Sequence, residues 1–505
     1  MTDQPYALRL HDADNVLVAL RNVPAGTVLP GDVTAPDAIP AGHKIALRDI
    51  AAGENILKYG QIIGAATTDI ATGAHVHVQN LGMGDHKQDH SFGSAAKALP
   101  EPEGTAEFMG FHRPSGRVGT RNYLGILTSV NCAGSVAQFI AEAARRDGLL
   151  DAYPNIDGIV PIVHGSGCGM SGKGEGYDTL FRTLAGYGHS ANFGAILMIG
   201  LGCEVMQIPD LIDRKALKDS ARFRYMTIQQ QGGTRATIDK GLSILRELAI
   251  EANKAERAPA PAAHLVLGMQ CGGSDGYSGI TANPALGVAS DLLVAHGGTS
   301  ILSETSEIYG AEHLLTRRAV DEPTGRKLVD LIDWWEDYTA RNFGEMDNNP
   351  SPGNKRGGLT TILEKSLGAV AKGGSAPMAG VYKYGEPIDR PGFVFMDSPG
   401  YDPCSVTGQT ASGANLIAFT TGRGSVSGYQ PVPSIKLASN PELWRRMEPD
   451  MDVNCGDILD GVSLEEKGRE IFELMLKVAS GTQTKSEAQG FGAVEFVPWQ
   501  IGAVM

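Results

Sequence analysis

The sequence His75-Val76-His77 places two imidazoles two residues apart in an N-terminal segment of short apolar runs. On a strand, alternate side chains point to the same face, so both rings can reach one ion. Two imidazoles suit Fe(II), Mn(II) or Zn(II) and leave coordination positions open for substrate oxygens. Because this spacing alone is a weak signal, the alternative is a pair of surface histidines on an edge strand.

A glycine-dense loop, residues 268–284 (GMQCGGSDGYSGITANP), follows an apolar run at 264–269. Glycines allow backbone N–H groups to approach a bound anion closely. Ser274, Asp275 and Asn283 add a hydroxyl, a carboxylate and an amide. A buried strand that ends in such a loop is where open α/β sheets bind ligands, although an ordinary irregular turn has the same composition.

Other polar side chains also follow apolar runs. His164 lies in a glycine loop, where it is either a general acid or base or a structural histidine bonded to a loop carbonyl. Glu204 and Glu304 are carboxylates at strand ends, which serve as bases or as partners of a helix N-terminus. Arg423 offers a fork for a carboxylate, and Lys355 adds a second cation. A single cationic loop is usually exposed to solvent. The proposed role of both cations therefore requires that their loops share a cleft with the other loops.

Cysteines recur at the ends of apolar runs, at Cys132, Cys168, Cys203 and Cys271. No CxxC spacing is present, so the sequence favours small buried hydrophobic residues over zinc or iron–sulfur ligands. Their position on converging loops would make activity sensitive to oxidation. Six dispersed cysteines in a chain of this length predict reduced thiols in the cytoplasm.

The patterning predicts a multidomain chain that positions these loops. Residues 1–80 alternate short apolar stretches with Pro/Gly turns and predict a small, mostly-β domain. Residues 81–106 lack periodicity and are predicted to be a linker. Residues 107–256 and 257–505 repeat a strand, glycine turn and helix order, which predicts two α/β portions with parallel sheets. The polar turns would then face a common cleft at the C-terminal strand edges.

Composition excludes several classes of protein. The chain has 505 residues and a net charge of -14, which argues against broad binding to nucleic acid. No apolar run is long enough to cross a membrane, and no basic-then-apolar leader is found. The glycine loop around His164 lacks the spacing of a dinucleotide fingerprint, and no phosphate-binding P-loop motif occurs. We therefore expect no nucleotide cofactor and no membrane or nucleic-acid partner.

Several longer motifs together resemble one family. They are Gly42-His43-Lys44, His75-Val76-His77, GRVGTRN at 116–122, GLGCE at 200–204, CGGSDGYSGITANP at 271–284, NPSPGNK at 349–355 and TTGRG at 420–424. Spread over almost the whole chain, they resemble the altronate/galactarate dehydratase family of sugar-acid dehydratases. The resemblance implies an N-terminal β-clip (SAF-like) domain followed by second and C-terminal α/β domains. Gln79 stands where many altronate-type members carry a third histidine.

The resemblance also implies a reaction, the loss of water from a hexonate or hexarate such as altronate or galactarate to give a 2-keto-3-deoxy acid. A divalent metal, Fe(II) or alternatively Mn(II), would be held by His75 and His77 and would stabilise the charge that develops beside the substrate carboxylate. The expected catalytic residues are His164, Glu204 and Asp275. The residues expected to bind substrate are Ser274, Asn283, Lys355 and Arg423.

The expected partner is a small anionic sugar acid, and the chain is expected to form a homo-oligomer. Two alternatives belong to other classes. A sulfolactate sulfo-lyase is a related split system, so C–S cleavage is one. The other is a non-catalytic sugar-acid-binding protein built on the same scaffold.

Overall fold

The computed structural model describes residues 5–84, 89–102, 104–214, 217–218 and 220–504. The first unit is a small β domain of short strands. They are β1 (Ala7–Leu8), β2 (Val16–Ala19), β3 (Val28–Leu29), β4 (Val33–Thr34), β5 (Lys44–Ala46), β6 (Asn55–Lys58), β7 (Gln61–Ala66), β8 (His75–Val76) and β9 (Leu81–Gly82). Strands β1, β2, β5 and β8 form one antiparallel sheet, and β6, β7 and β9 form another. The predicted N-terminal mostly-β domain is confirmed.

The β domain packs directly on the C-terminal part of the chain. Val16, Ile56 and Val76 belong to the same buried apolar cluster as Leu286 and Leu367. Burial of such side chains contributes roughly 1.5–3 kcal/mol each, so this contact is a substantial part of the core. The histidines of the β domain are therefore held against the second α/β portion.

Residues 89–102 connect the β domain to the next unit without helix or strand. They lie along the C-terminal unit, where the Gly93 N–H donates to Thr316 O and the Ala95 N–H donates to Arg317 O, at 3.1 and 2.7 Å. The predicted linker, 81–106, includes β9 at its start. Its residues 85–88 and 103 lie outside the described residues.

The second unit is an α/β domain. Its elements are β10 (Glu107–His112), β11 (Val118–Gly119), β12 (Tyr123–Thr128), α1 (Gly134–Arg146), β13 (Gly158–Ile162), α2 (Glu175–Gly188), β14 (Phe193–Gly200), α3 (Ile208–Asp213), β15 (Phe223–Thr227), α4 (Thr234–Ala252) and β16 (Arg257–Pro261). A parallel sheet has the order β13-β12-β14-β15. Helices α1 and α4 pack on one face of this sheet, and α2 packs on the other. The predicted parallel sheet is confirmed.

The proline-rich segment around residue 259, predicted to mark a domain boundary, forms strand β16. It pairs antiparallel with β10, with Met109 opposite Pro259. In the order β11-β10-β16, this strand lies at the edge of its sheet. An edge strand tolerates proline because one of its sides needs no N–H donors.

Three cysteines lie at the carboxyl ends of strands in the second domain. Cys132, Cys168 and Cys203 are exposed, whereas Cys271 is buried. The prediction of buried hydrophobic cysteines is therefore wrong for the first three. The physical reason is that each lies in the turn beyond its strand rather than within the apolar run that precedes it.

The third unit is a larger α/β domain. Its strands are β17 (Val266–Cys271), β18 (Thr299–Leu302), β19 (Met378–Tyr382), β20 (Gly392–Met396), β21 (Leu416–Thr421), β22 (Ser434–Ala438) and β23 (Val453–Asn454). Its helices are α5 (Ala282–Ala295), α6 (Glu312–Thr316), α7 (Glu322–Arg341), α8 (Pro352–Arg356), α9 (Ile362–Val370), α10 (Asp402–Ser412), α11 (Pro441–Arg446), α12 (Leu464–Ala479) and α13 (Lys485–Ala488).

These strands form one parallel sheet in the order β19-β20-β18-β17-β21-β22-β23. Strand order reverses beside β17, which is where open α/β sheets bind ligands. The loops after β17, β18, β20, β21 and β22 consequently gather at one edge. Among the described residues, no helix combines the length and apolar character needed to cross a membrane.

Candidate functional site

Three imidazoles meet at one edge of the β domain. Strand β5 pairs with β8 so that Ile45 lies opposite His75, which brings His43 beside His75 and His77. His43 Nδ1 and His75 Nε2 are 2.9 Å apart. One ring nitrogen from each of the three residues lies within 4.8 Å of the others. The structure therefore brings the predicted pair together and adds His43 as a third imidazole.

The donor chemistry of this histidine cluster suits a divalent transition metal. Burial, assisted by the nearby His43 and Lys44, lowers the pKa of His75 to about 4 and that of His77 to about 3. These rings are neutral near pH 7, and neutral imidazole is the form that binds a metal. The Nδ1 atom of His77 is buried and has no hydrogen-bond partner among the described residues. A bound cation would satisfy such a buried ring nitrogen by taking up its lone pair.

Gln79, which stands where a third histidine was considered, does not join the cluster. Its side-chain amide donates to the His75 carbonyl at 3.1 Å, and the residue is exposed. His43 fills the third place from a different strand. Sequence reasoning missed this role, although Gly42-His43-Lys44 was among the family motifs.

A buried charge triad lies next to the histidine cluster. Glu364 forms one ion pair with Lys44 at 2.8 Å and another with Lys58 at 2.9 Å. All three side chains are at most 1% exposed. Although burial opposes it, the two ammonium groups hold the pKa of Glu364 well below its usual range. Burial lowers the pKa of Lys44 to about 8, because one carboxylate cannot fully compensate two cations. Near neutral pH the triad carries one net positive charge.

Asp275, predicted to be catalytic, holds two loops together. Its Oδ1 accepts hydrogen bonds from Ser278 Oγ at 2.9 Å and Ser439 Oγ at 2.8 Å, and its Oδ2 accepts from Asn440 Nδ2 at 2.8 Å. Burial raises the pKa of this carboxyl, and the hydrogen bonds oppose that shift. The arrangement ties the loop after β17 to the loop after β22.

Asn283 and Ser274 are buried parts of the same loop. Asn283 donates to Gly368 O at 2.9 Å and accepts from Thr420 Oγ1 at 2.6 Å, so both ends of its amide have protein partners. Ser274 lines a small cavity that Glu364 also lines. The proposed binding of substrate by these residues stays a prediction.

A second charged cluster, which we call the acid–lysine cluster, lies at the carboxyl ends of β17 and β18. Lys365 pairs with Glu307 at 2.6 Å, and Lys372 pairs with Glu304 at 3.3 Å. The Cys271 thiol lies 3.7 Å from Glu304 and 3.5 Å from Glu307. Each carboxyl group thus has a lysine partner, and the donor atoms of Cys271, Glu304 and Glu307 all lie within 4.8 Å of one another.

Two carboxyl groups at this site have raised pKa values: Glu304 and the neighbouring Asp402, which we count in the acid–lysine cluster. Burial, together with the neighbouring Glu307, raises the pKa of Glu304 to about 8 and that of Asp402 to about 7. Glu304 has φ of 70°, a left-handed conformation that is uncommon for a residue other than glycine. Its Oε1 is buried without a partner among the described residues. Such strain and such a pKa are typical of functional groups.

Two cavities lie beside the acid–lysine cluster, and the smaller one also borders the buried charge triad. One of 400 Å³ is lined by Glu307, Asn349, Lys365 and Asp402. A much smaller cavity, lined by Cys271, Lys365 and Glu364, lies between the acid–lysine cluster and the buried triad. Tyr59 of the β domain also lines this small cavity, so the cavity lies where the β domain meets the third domain.

A third cavity, of 440 Å³, is lined by Arg356, Arg423 and Ala41, which lies two residues before His43. His43 Nε2 lies 3.3 Å from the carbonyl of Arg356. Arg423 is exposed at this cavity, as its predicted role requires. Lys355 precedes Arg356 on α8 and is half-buried.

His164 and Glu204 belong to the second domain. His164 Nε2 donates to Thr128 O at 3.1 Å, and its Nδ1 accepts from the Ser166 N–H at 3.2 Å. Burial lowers the pKa of His164 to about 4. Glu204 accepts from Ser129 Oγ at 2.7 Å and from the Gly202 N–H at 2.6 Å. The contact of His164 with a carbonyl corresponds to its structural alternative, whereas Glu204 contacts no helix N-terminus among the described residues. The catalytic roles of both residues stay predictions.

Comparison with known proteins decides the family. Three family models match in chain order: the altronate/galactarate dehydratase SAF domain at residues 5–84, the D-galactarate dehydratase/altronate hydrolase second domain at 110–253, and the D-galactarate/altronate dehydratase C-terminal domain at 262–504. The chain belongs to the altronate/galactarate dehydratase family.

Individual relatives of this family align along nearly the whole chain. The galactarate dehydratase (L-threo-forming) of Escherichia coli (strain K12) is 38% identical over 95% of this chain and 94% of its own length. The altronate dehydratases of the same strain and of Bacillus subtilis (strain 168) are each 36% identical over 96% of this chain and 97% of their own length. The chain is accordingly an enzyme of the dehydratase, or hydro-lyase, class.

Sequence reasoning missed most of the acid–lysine cluster. Glu304 was recognised as a carboxylate at a strand end, but Glu307, Lys365, Lys372 and Asp402 were not singled out. Lys365 lies within α9 and Lys372 just after it, in a stretch that the sequence analysis did not single out. The available signal was two lysines in an otherwise buried helical stretch, because lysine is rarely buried unless it is paired.

Proposed function

We propose that this enzyme removes water from a hexonate or hexarate, such as altronate or galactarate, to give a 2-keto-3-deoxy acid. The observation that carries the proposal is the cluster of three neutral imidazoles, His43, His75 and His77, beside a buried positive charge. We further propose that these residues hold a divalent metal, with Fe(II) as the first choice and Mn(II) as the second. A cytoplasmic homo-oligomer is part of the same proposal.

A divalent metal held by His43, His75 and His77 would supply Lewis-acid stabilisation of the negative charge that develops beside the substrate carboxylate. The protein's own residues favour the same anion. The triad of Lys44, Lys58 and Glu364 contributes one net positive charge in a region shielded from water. Arg356 and Arg423 add guanidinium groups at the neighbouring cavity. These local positive charges therefore attract and orient an anionic sugar acid, although the protein as a whole has a net charge of -14.

Proton transfer is assigned in this proposal to the acid–lysine cluster. The reaction needs a base for the proton beside the carboxylate and an acid for the departing 3-hydroxyl. Asp402, with a pKa of about 7, is present in both protonation states near neutral pH. Lys365 lies in the same cavity and balances the charge of the neighbouring Glu307. His164 and Glu204 are the competing candidates, and both already have protein partners.

The test is anaerobic incubation of the purified protein with Fe(II) and a panel of hexonates, hexarates and sulfolactate. Both 2-keto-3-deoxy acid and sulfite are measured. We expect a keto-deoxy product from one sugar acid and loss of at least 100-fold in kcat for His75→Ala, since metal and oxyanion stabilisation supply several kcal/mol. His264→Ala is the matched control, because His264 is exposed and lies outside the cluster.

Each other outcome contradicts the proposal in a different way. Sulfite release would reassign the chain to C–S cleavage. Binding of a sugar acid without turnover, with iron bound, would favour a non-catalytic binding protein. Turnover that survives in His43→Ala, His75→Ala and His77→Ala alike would remove the histidine cluster from the reaction. Mass measurement in solution by light scattering checks the homo-oligomer.

A further inference from the structure

Three exposed thiols at one edge of the second domain are left unexplained by the proposed function. Cys132 follows β12, Cys168 follows β13 and Cys203 follows β14, and all three are exposed. The other cysteines, Cys271, Cys404 and Cys455, are buried. Cysteine is among the most frequently buried residue types, so three exposed thiols on neighbouring loops call for a specific reason.

The fold brings the three loops side by side. Strands β13, β12 and β14 are adjacent and parallel, so the turns that follow them lie at the same edge. The Asn131 N–H, next to Cys132, donates to Ser166 O at 2.9 Å in the Cys168 loop. The Met206 N–H, beyond Cys203, donates to Gly167 O at 2.9 Å. Backbone hydrogen bonds therefore connect the Cys168 loop to both of its neighbours.

Glycine allows this close approach. Gly167 has φ of 95°, and a Cβ at this position would collide with the backbone carbonyl of Ser129 at the end of β12. A side chain at position 167 would therefore push the Cys168 loop away from the Cys132 loop. At Gly165 of the same loop, a Cβ would meet nothing within 4 Å, so the loop is open at that position.

The spacing of the thiols argues against a single ion. A tetrahedral ion with Zn–S bonds of about 2.3 Å needs its sulfurs about 3.8 Å apart. Among the described residues, the groups whose donor atoms all lie within 4.8 Å are the histidine cluster and Cys271 with Glu304 and Glu307, and these three thiols are not such a group. A ligand with several metal centres can bind thiolates whose sulfurs are farther apart than a single ion allows. We propose that Cys132, Cys168 and Cys203 hold an iron–sulfur cluster.

This site has the features that such a cluster requires. Thiolates are its protein ligands, and hydrogen bonds to their sulfurs tune its potential. Gln229, just after β15, donates its side-chain amide to Cys203 Sγ at 3.4 Å. Three cysteines leave one iron of a four-iron cluster with an open position, which suits a hydroxyl or carboxylate oxygen of a small molecule. The inference is independent of the histidine cluster, since the two sites share no residue.

The test is anaerobic reconstitution of the full-length protein with Fe(II) and sulfide, followed by desalting. Acid-labile sulfide, iron and the visible absorption of sulfide-bridged iron are measured for the wild type. The variants are Cys132→Ala, Cys168→Ala and Cys203→Ala, with Cys404→Ser as the thiol control. Cys404 is buried beside the Tyr384 hydroxyl, which a serine can still contact. His75→Ala serves as the control for iron bound at the histidine cluster.

We expect retained sulfide and its absorption in the wild type, Cys404→Ser and His75→Ala, and loss of at least tenfold in each of the three alanine variants. Circular dichroism of the variants checks folding, and exposed cysteines are replaced without loss of core packing. Iron retained without labile sulfide would overturn the inference, because a single ion gives that result. Sulfide retained equally in all variants, or a disulfide between two of the three cysteines after anaerobic purification, would also overturn it.

Discussion

Glu364→Gln is the substitution that most directly tests the buried charge triad. The change keeps the size of the side chain and removes the negative charge between Lys44 and Lys58. Glu364 also accepts hydrogen bonds from the Thr360 N–H at 2.9 Å and Thr360 Oγ1 at 2.7 Å. A glutamine oxygen can keep part of that contact. The main effect is therefore the loss of the negative charge that compensates two buried ammonium groups.

The expected magnitude follows from burial. Removing one partner of a buried ion pair costs about 3–5 kcal/mol, because the remaining charge is left unpaired in a medium of low polarity. Here two lysines lose the same partner, at 2.8 and 2.9 Å. Their losses are not additive, because both arise from one carboxylate. We therefore expect Glu364→Gln to lower the free energy of unfolding by ~3–5 kcal/mol.

The assay is urea unfolding followed by tryptophan fluorescence. All four tryptophans lie in the third domain, which carries Glu364, so the signal reports this domain and not the whole chain. The matched control is Glu322→Gln, which removes an exposed ion pair with Arg326 whose side chains are 57% and 64% exposed. Exposed pairs contribute about 0.3–0.5 kcal/mol, so this control should shift the midpoint little.

A value for Glu364→Gln that lies within about 0.5 kcal/mol of the control would refute the reasoning. A triple variant, Lys44→Met, Lys58→Met and Glu364→Leu, separates stability from function. Apolar residues of similar volume often replace a buried charged group without loss of stability. We expect this variant to recover most of the unfolding free energy while substrate affinity, measured by KM, stays impaired.

Three further predictions test other parts of the molecule. Asp402→Asn should abolish the limb of the kcat/KM profile near pH 7. The wild type should also lose stability relative to this variant as pH rises from about 4 to about 7, because the unfolded chain releases the Asp402 proton near pH 4 and the folded chain keeps it until about pH 7. An unchanged profile would remove Asp402 from proton transfer. Arg423→Lys should raise KM about tenfold with little change in kcat, since a point charge replaces a fork, and unchanged KM would contradict carboxylate binding. Gly167→Ala should lower the melting temperature by several degrees, with Gly165→Ala as the neutral control, and equal effects would contradict the packing at residue 167.

The fold followed from local pattern to a large extent. Apolar runs that end in glycine turns marked strands such as β12, β14 and β17, because strands of a parallel sheet are buried on both faces. Pattern could not show that residues around Pro259 form an edge strand, since that depends on pairing with Met109, far away along the chain.

The candidate site was predictable only where its residues are close in sequence. His75 is on β8 and His77 directly follows that strand. The extended chain at this point places both rings on one side, so their proximity follows from a spacing of two. His43 joins them through the register between β5 and β8, and no local signal fixes that register. Lys365 and Asp402 come from different helices. The ion pair of Lys365 with Glu307 and the raised pKa of Asp402 both depend on burial, which exists only in the folded chain. Residues chosen for their polarity alone, such as Asp275, were found bonded to other loops.

Two glycines show why the histidine cluster depends on the third domain. A Cβ at Gly276 or at Gly358 would collide with the carbonyl of Gly42, the residue before His43. The loops that carry them therefore close around the β domain just where the imidazole cluster begins. His43 Nε2 then reaches Arg356 O, and Lys44 reaches Glu364. Because a single backbone carbonyl is enclosed from two sides, the docking of the β domain fixes where the three imidazoles lie relative to the third domain. A side chain at either glycine would separate the domains and, with them, Lys44 and Lys58 from Glu364.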